Sequence, residues 1–411
     1  MSQSLPAGFL WGASTAAHQI EGNNVASDFW ALEHSGLGLV AEPSGDACDS
    51  YHRWREDIDL CRDLGYTAYR FSVEWARIEP VRGQVSRAEL AHYRRMIEYA
   101  LSQGVQPVVT LHHFVHPAWF TRAGAWSQPD AVDQFARYVE AVAPVLDGVG
   151  HVVTMNEPNM LTLILRMGQF LAAPDPAAAM AAARAQFTQS GNSEHLVAGA
   201  LPPPEPEVAA LLVTAHERAR EIVRKSTSAK VGWSLAMQAL VPKPGHEADC
   251  VRYRDLWENQ FLTACRDDDF LGVQSYTTKE VGPDGPEGPP PGEPTTQVGW
   301  TLRPDALEIA LRQAWEATGG LPLLVTENGI ATADDAQRIA YLEGAVAGLQ
   351  RAVADGIDVR GYLHWTLLDN YEWALGYRPT FGLIAVDRET FTRTPKPSAH
   401  RLGEIARANG L

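Results

Sequence analysis

The chain has 411 residues, 45% of them hydrophobic and 20% charged, with a mean hydropathy of −0.19, the composition of a globular protein with a large core. The formal net charge of −16 argues against polyanionic partners, so no nucleic-acid partner is expected. No apolar run is long enough to span a bilayer, which argues against a membrane partner, and the first Lys or Arg is Arg53, so the N-terminus lacks the charged region of a secretion signal and a cytoplasmic location is expected.

Short apolar, β-rich runs recur along the chain. They are "FLWGAST" (9–15), "YTAYRFSVEW" (66–75), "QPVVTLHHF" (106–114), "HVVTMNEP" (151–158), "AKVGWSLAM" (229–237), "FLGVQSYT" (270–277), "LPLLVTENG" (321–329) and "VRGYLHWTLLD" (359–369). Helical patterns lie between them, such as "SRAELAHYRRMIEYALSQG" (86–104) and "DDAQRIAYLEGAVAGLQRAVADG" (334–356), the latter with acids at its start and Gly at its end. Alternating units with continuous apolar strands predict an α/β fold, a parallel sheet covered by helices. Eight such units predict a single (β/α)8 TIM barrel across residues 1–411.

Two stretches interrupt the pattern. "LPPPEP" (201–206) reads as a breaker between helical segments after the fourth strand. "VGPDGPEGPPPGEPTTQ" (281–297) cannot form a helix or a central strand, and its position predicts a loop on the C-terminal face of the barrel. Cys48, Cys61, Cys250 and Cys265 show no CxxC pairing and read as free or buried thiols, with no metal site implied.

Catalytic groups of such barrels sit where strands end at the C-terminal face. Here the ends are polar: Arg70, then His112 and His113, Asn156 and Glu157, Tyr276, Glu327 and Asn328, and finally Asp369, Asn370 and Glu372. Any one of these has an ordinary reading as a cap or a satisfied core contact. The series as a whole does not. Glu157 and Glu327 both close apolar strands, where a carboxylate is costly unless water, a partner or a proton accommodates it. Two carboxylates facing each other across a barrel mouth are what glycoside hydrolysis requires, one protonated and one ionised. Arg70 would favour the ionised form of its neighbour, and burial near another anion would hold the proton on the other.

These residues carry a resemblance. "GFLWGASTAAHQIEG" (8–22), "YHRWREDIDLCRDLGYTAYRFSVEWARIEP" (51–80), "TMNEP" (154–158), "TENG" (326–329), "WTLLDNYEWALGY" (365–377), "FGLIAVD" and "RTPKPSA" follow one another as in glycoside hydrolase family 1, the β-glucosidase family. The resemblance implies Glu157 as acid/base and Glu327 as nucleophile, with Arg70, Asn156 and Tyr276 in support. It implies that Gln19, His113, Asn156, Glu372 and Trp373 hydrogen-bond the sugar and that Trp365 forms its floor. It implies a retaining β-glycosidase acting on terminal β-D-glucosides, with no metal or organic cofactor and a small-molecule β-glycoside as partner. Trp30, Trp54, Trp75 and Trp257 read as packing, and His112 as structural.

The chain departs from the family pattern in places. Gln274 and Ser275 replace an Asn and an aromatic residue, Val115 and His116 stand where an Asp is usual, Thr380 replaces an Arg, an Asn is missing from strand five, and Met237–Asp269 is short. Gln274, Ser275, Val115 and the short stretch are read as altering the aglycone side, predicting an open site that admits bulky hydrophobic aglycones. Transglycosylation on the same scaffold stays an alternative. A non-catalytic sugar-binding protein is disfavoured because both carboxylates are present. Glu372 would repel a 6-phosphate, and Glu157 stands where thioglucosidases carry Gln. Homo-oligomerisation is left open.

Overall fold

The computed structural model describes residues 5–161, 178, 206–283, 285–290 and 292–411. Eight parallel strands close into a barrel: β1 (Leu10–Ser14), β2 (Ala68–Ser72), β3 (Gln106–Thr110), β4 (His151–Asn156), β5 (Lys230–Ala236), β6 (Leu271–Gln274), β7 (Leu323–Glu327) and β8 (Val359–Trp365). Each pairs with its neighbour in sequence, and β1 closes the ring against β8. All eight expected strands are present, each inside its predicted run.

Alternation along the strands sorts the side chains. Ala68, Val108, Val153, Phe270, Leu324 and Leu363 form a compact apolar plug inside the barrel. On β4, next to Val153, Thr154 points outward to the helix Pro206–Ser226, where its Oγ1 meets His216 Nδ1 at 2.7 Å. The larger core lies between the strands and the surrounding helices.

Two of the helices whose pattern the sequence shows begin at side-chain caps. Ser86 accepts from Glu89 N at the start of Arg87–Ser102, and Asp334 accepts from Ala336 N at the start of Asp335–Ala354. Gly104 and Gly356 follow their ends with φ of 74° and 96°, a region glycine enters without steric cost. The four cysteines are buried and free. No helix among the described residues is long and apolar enough to cross a membrane.

The Pro-rich segment is more ordered than a plain loop. Its first residues, Val281 and Gly282, end the strand Lys279–Gly282, which pairs with Leu240–Pro242 on one side and Gly285–Pro286 on the other. The expectation that no part of 281–297 lies in a middle strand is therefore corrected. The pairing is possible because the middle strand Lys279–Gly282 contains no proline, and Pro286 sits on the edge strand beside it. The breaker 201–206 falls outside the described residues except for Pro206, which starts a helix.

Candidate active site

The two strands that carry the carboxylates lose regular register just before them. The β4–β5 pairing shifts between Val153 and Asn156, and the β6–β7 pairing shifts between Val325 and Glu327. Such irregularities re-aim side chains at strand ends. Glu157 then takes φ 43°, and its N–H donates to Ser234 O at 2.8 Å. Pro158 bars Glu157 from the right-handed region, and residues 158–161 begin a helix with proline in its first turn. Phe114 and Trp373 nearby also have positive φ, at 68° and 50°. Non-glycine residues in this region carry strain of about 1–3 kcal/mol each, which the packed surroundings must hold.

Glu327 is surrounded by donors. Arg70 Nη1 donates to its Oε1 at 2.6 Å, Gln274 Nε2 to the same oxygen at 2.8 Å, and Tyr276 Oη to Oε2 at 2.5 Å. Arg70 is wholly buried and also donates to Thr110 Oγ1, Thr326 O and Asn156 Oδ1. Gly329 lets the following chain pass close to strand β8, since a Cβ there would lie 2.0 Å from Trp365 O.

Glu157 has the opposite setting. Its carboxylate has no hydrogen-bond partner among the described residues, and burial with the charges of Glu327 and Glu372 holds its pKa well above the usual range, against a smaller pull from Arg70. Burial raises Glu327 too, but Arg70 and the Tyr276 and Gln274 bonds oppose it. One proton shared between these carboxyls therefore settles on Glu157.

Asn156 is oriented by the same network. Its Oδ1 accepts from Arg70 Nη2 at 2.5 Å and from Gln274 Nε2 at 2.7 Å, which leaves its amide nitrogen without a partner. Gln19 Nε2 donates to Tyr371 O at 2.8 Å and reaches Glu372 Oε2 at 3.4 Å, leaving Gln19 Oε1 unpartnered. Burial and the neighbouring Glu327 push Glu372 up to about 8. His113 is held neutral by burial and by Arg70, and its ring lies within 13° of the Trp365 plane and 15° of the Trp373 plane. A set of unpartnered donors and acceptors beside an aromatic floor suits a polyhydroxylated ring with apolar C–H faces.

The structure brings Arg70, Asn156, Tyr276 and Glu327 into one bonded cluster, joins Gln19 to Glu372, and sets His113 nearly parallel to both Trp365 and Trp373. It corrects three other expectations. Gln274 is buried beneath the carboxylates and bonds Glu327, so it does not line the aglycone side. Ser275 is buried beside it. Val115 packs with Phe29, Leu32 and Tyr371 in a small core. Strand register explains Gln274: it pairs directly with Glu327 across β6–β7. Its type and strand-end position were the available signal.

The remaining aromatic and histidine expectations agree with burial. Trp54, Trp75 and Trp257 are core residues, and Trp30 stacks on His34. His112 is buried and neutral, and His116 links Asp28 to Trp126 through its two ring nitrogens. Sequence reading also passed over Trp300, whose ring packs 5.4 Å from Tyr276 and 6.2 Å from Phe381. Its loop is pinned by Gln297, which accepts from Thr380 N and Oγ1.

Known proteins resemble this chain over nearly its whole length. The sequence model of glycosyl hydrolase family 1 matches residues 1–280 and 258–411. A bifunctional beta-D-glucosidase/beta-D-fucosidase of Bifidobacterium breve is 31% identical over 97% of this chain and 97% of its own length. The crystal structure of beta-glycosidase BGL167 superposes with a TM-score of 0.86 at 45% identity, covering 99% of this chain and 98% of that one. The beta-glucosidase from Thermotoga maritima in complex with noeuromycin gives a TM-score of 0.85 at 27% identity, with 99% of each chain covered.

Proposed function

This chain belongs to glycosyl hydrolase family 1 and is a β-glycosidase, and from that premise we propose that it hydrolyses terminal β-D-glucosides with retention, through a covalent intermediate on Glu327. The observation that carries the reading is the asymmetry of the two carboxylates: Glu327 accepts from Arg70, Tyr276 and Gln274, while Glu157 has no bonded partner among the described residues and burial beside Glu327 pushes its pKa well up.

The roles follow. Glu327, ionised and oriented, attacks the anomeric carbon as Glu157 gives its proton to the departing oxygen. Once the glycosyl ester forms, Glu327 no longer carries charge. The repulsion that raised Glu157 is then reduced, and Glu157 takes the proton of the incoming water. Tyr276 keeps its proton, since burial and Glu327 push its pKa well up, and it donates throughout. The free amide of Asn156 is placed to donate to the sugar 2-hydroxyl, and Gln19, His113, Glu372 and Trp373 to bind the others over Trp365. An alcohol in place of water would give transglycosylation by the same steps.

The half-buried Trp300 ring beside Tyr276 would offer an apolar surface to an aglycone. The test of the reaction is NMR on an aryl β-glucoside: the β-anomer of glucose appears first, and an α-anomer as first product refutes retention. A panel of nitrophenyl glycosides orders glucose, galactose, fucose and xylose.

A further inference from the structure

His18 and Gln19 are chain neighbours that both meet the segment Tyr371–Trp373. Gln19 reaches Glu372. His18 lies behind Trp373, the two ring planes 3° apart with centroids at 5.9 Å. Phe29 meets both rings edge-on, at 5.1 Å from His18 and 5.0 Å from Trp373. The His18 ring is buried and fixed at both nitrogens: Nε2 is 2.9 Å from Glu33 Oε1, and Nδ1 is 3.2 Å from Asn24 Nδ2. Glu33 is itself held by Ser44, whose N and Oγ donate to its Oε2 at 3.0 and 2.7 Å. Burial acts to raise the Glu33 carboxyl, and the bonds from His18 and Ser44 outweigh it.

Trp373 is met edge-on by Phe29 and Phe114, at 5.0 and 5.6 Å, and only His18 and His113 run parallel to its plane among the described residues. It opens the short turn Trp373–Leu375, none of whose residues is buried. Its indole runs nearly parallel to His113, which runs nearly parallel to Trp365. His18, Trp373, His113 and Trp365 thus form a run of rings of similar orientation, anchored at its far end by the His18–Glu33 contact. A hydrogen bond weakens steeply as its angle closes, so a donor on a ring that tilts loses its acceptor.

We propose that His18 is a positioning residue for sugar recognition, holding the Trp373 indole in the plane from which its N–H meets a sugar hydroxyl. The proposal rests on the glycosidase reading above. Turnover of nitrophenyl β-glucoside by the wild-type chain is measured first, and its absence refutes that reading and not the role of His18. With turnover established, H18A raises KM about tenfold, the loss of about one hydrogen bond, and changes kcat by less than about threefold. In a W373F background, whose ring has no N–H, H18A adds less than about twofold, because the contact it serves is already gone. H18F restores the flat ring and recovers most of the affinity, while lowering Tm because Glu33 loses a partner. Should H18A not fold, His18→Leu, which fills the space without a planar ring, takes its place. Additive effects of the His18 and Trp373 changes, a KM within about twofold of wild type, or an H18F KM as poor as that of H18A overturns the proposal.

Discussion

Gln274→Leu removes one of the bonds to the proposed nucleophile. Gln274 Nε2 donates to Glu327 Oε1 at 2.8 Å and to Asn156 Oδ1 at 2.7 Å. Leucine removes both bonds at similar volume. Asn156 Oδ1 keeps its bond from Arg70, and Gln274 Oε1 is already buried without a partner, so little stability is lost. A hydrogen bond to a charged group contributes about 1.5–3 kcal/mol, which corresponds to about one to two pKa units on Glu327. The sign is fixed by which form is favoured. The amide stabilises ionised Glu327, so its loss raises the Glu327 pKa, and a smaller fraction is ionised at low pH. The acidic limb of kcat/KM should therefore move up by about one unit, costing about tenfold just below the optimum and little above it. The assay is a pH profile of kcat/KM on an aryl β-glucoside, with Tm measured alongside. An acidic limb that stays in place with Tm unchanged refutes the claim that Gln274 senses the charge on Glu327.

The two carboxylates should also separate by chemical rescue: Glu157→Ala retains turnover of activated aryl glycosides and is accelerated by azide, whereas Glu327→Ala is nearly inactive in water and yields an α-glycosyl azide. The reverse pattern exchanges their roles. Glu372 is raised to about 8, so between its ordinary value and pH 8 the folded chain binds more protons than the unfolded one and stability falls as pH rises. Glu372→Gln removes that slope, so its Tm gain over wild type should be larger at pH 8 than at pH 4.5, a comparison made by calorimetry across that range. Cellobiose should be a poorer substrate than a flavonoid or polyketide β-glucoside by kcat/KM, because the apolar Trp300 surface rewards burial of a hydrophobic aglycone. A clear preference for cellobiose rejects it.

The barrel was legible because its signals are local. Each strand is a short apolar run, the longer helical stretches carry their own period, some with a side-chain cap, and parallel order follows from their alternation. Glu157 and Glu327 stood out for the same reason: an acid closing an apolar strand is anomalous without any partner in view. Tertiary structure decided what those acids touch. Gln274 looked like a change at the aglycone side because sequence does not say which way a strand-end side chain turns; its register opposite Glu327 turns it under the carboxylates. Val115 went to a core with Phe29 and Tyr371 that no sequence spacing joins. Whether a carboxylate holds its proton depends on charges and donors brought from β2, β4, β6 and β7 within a few ångströms in a medium of low dielectric. Those distances are set only when the barrel closes.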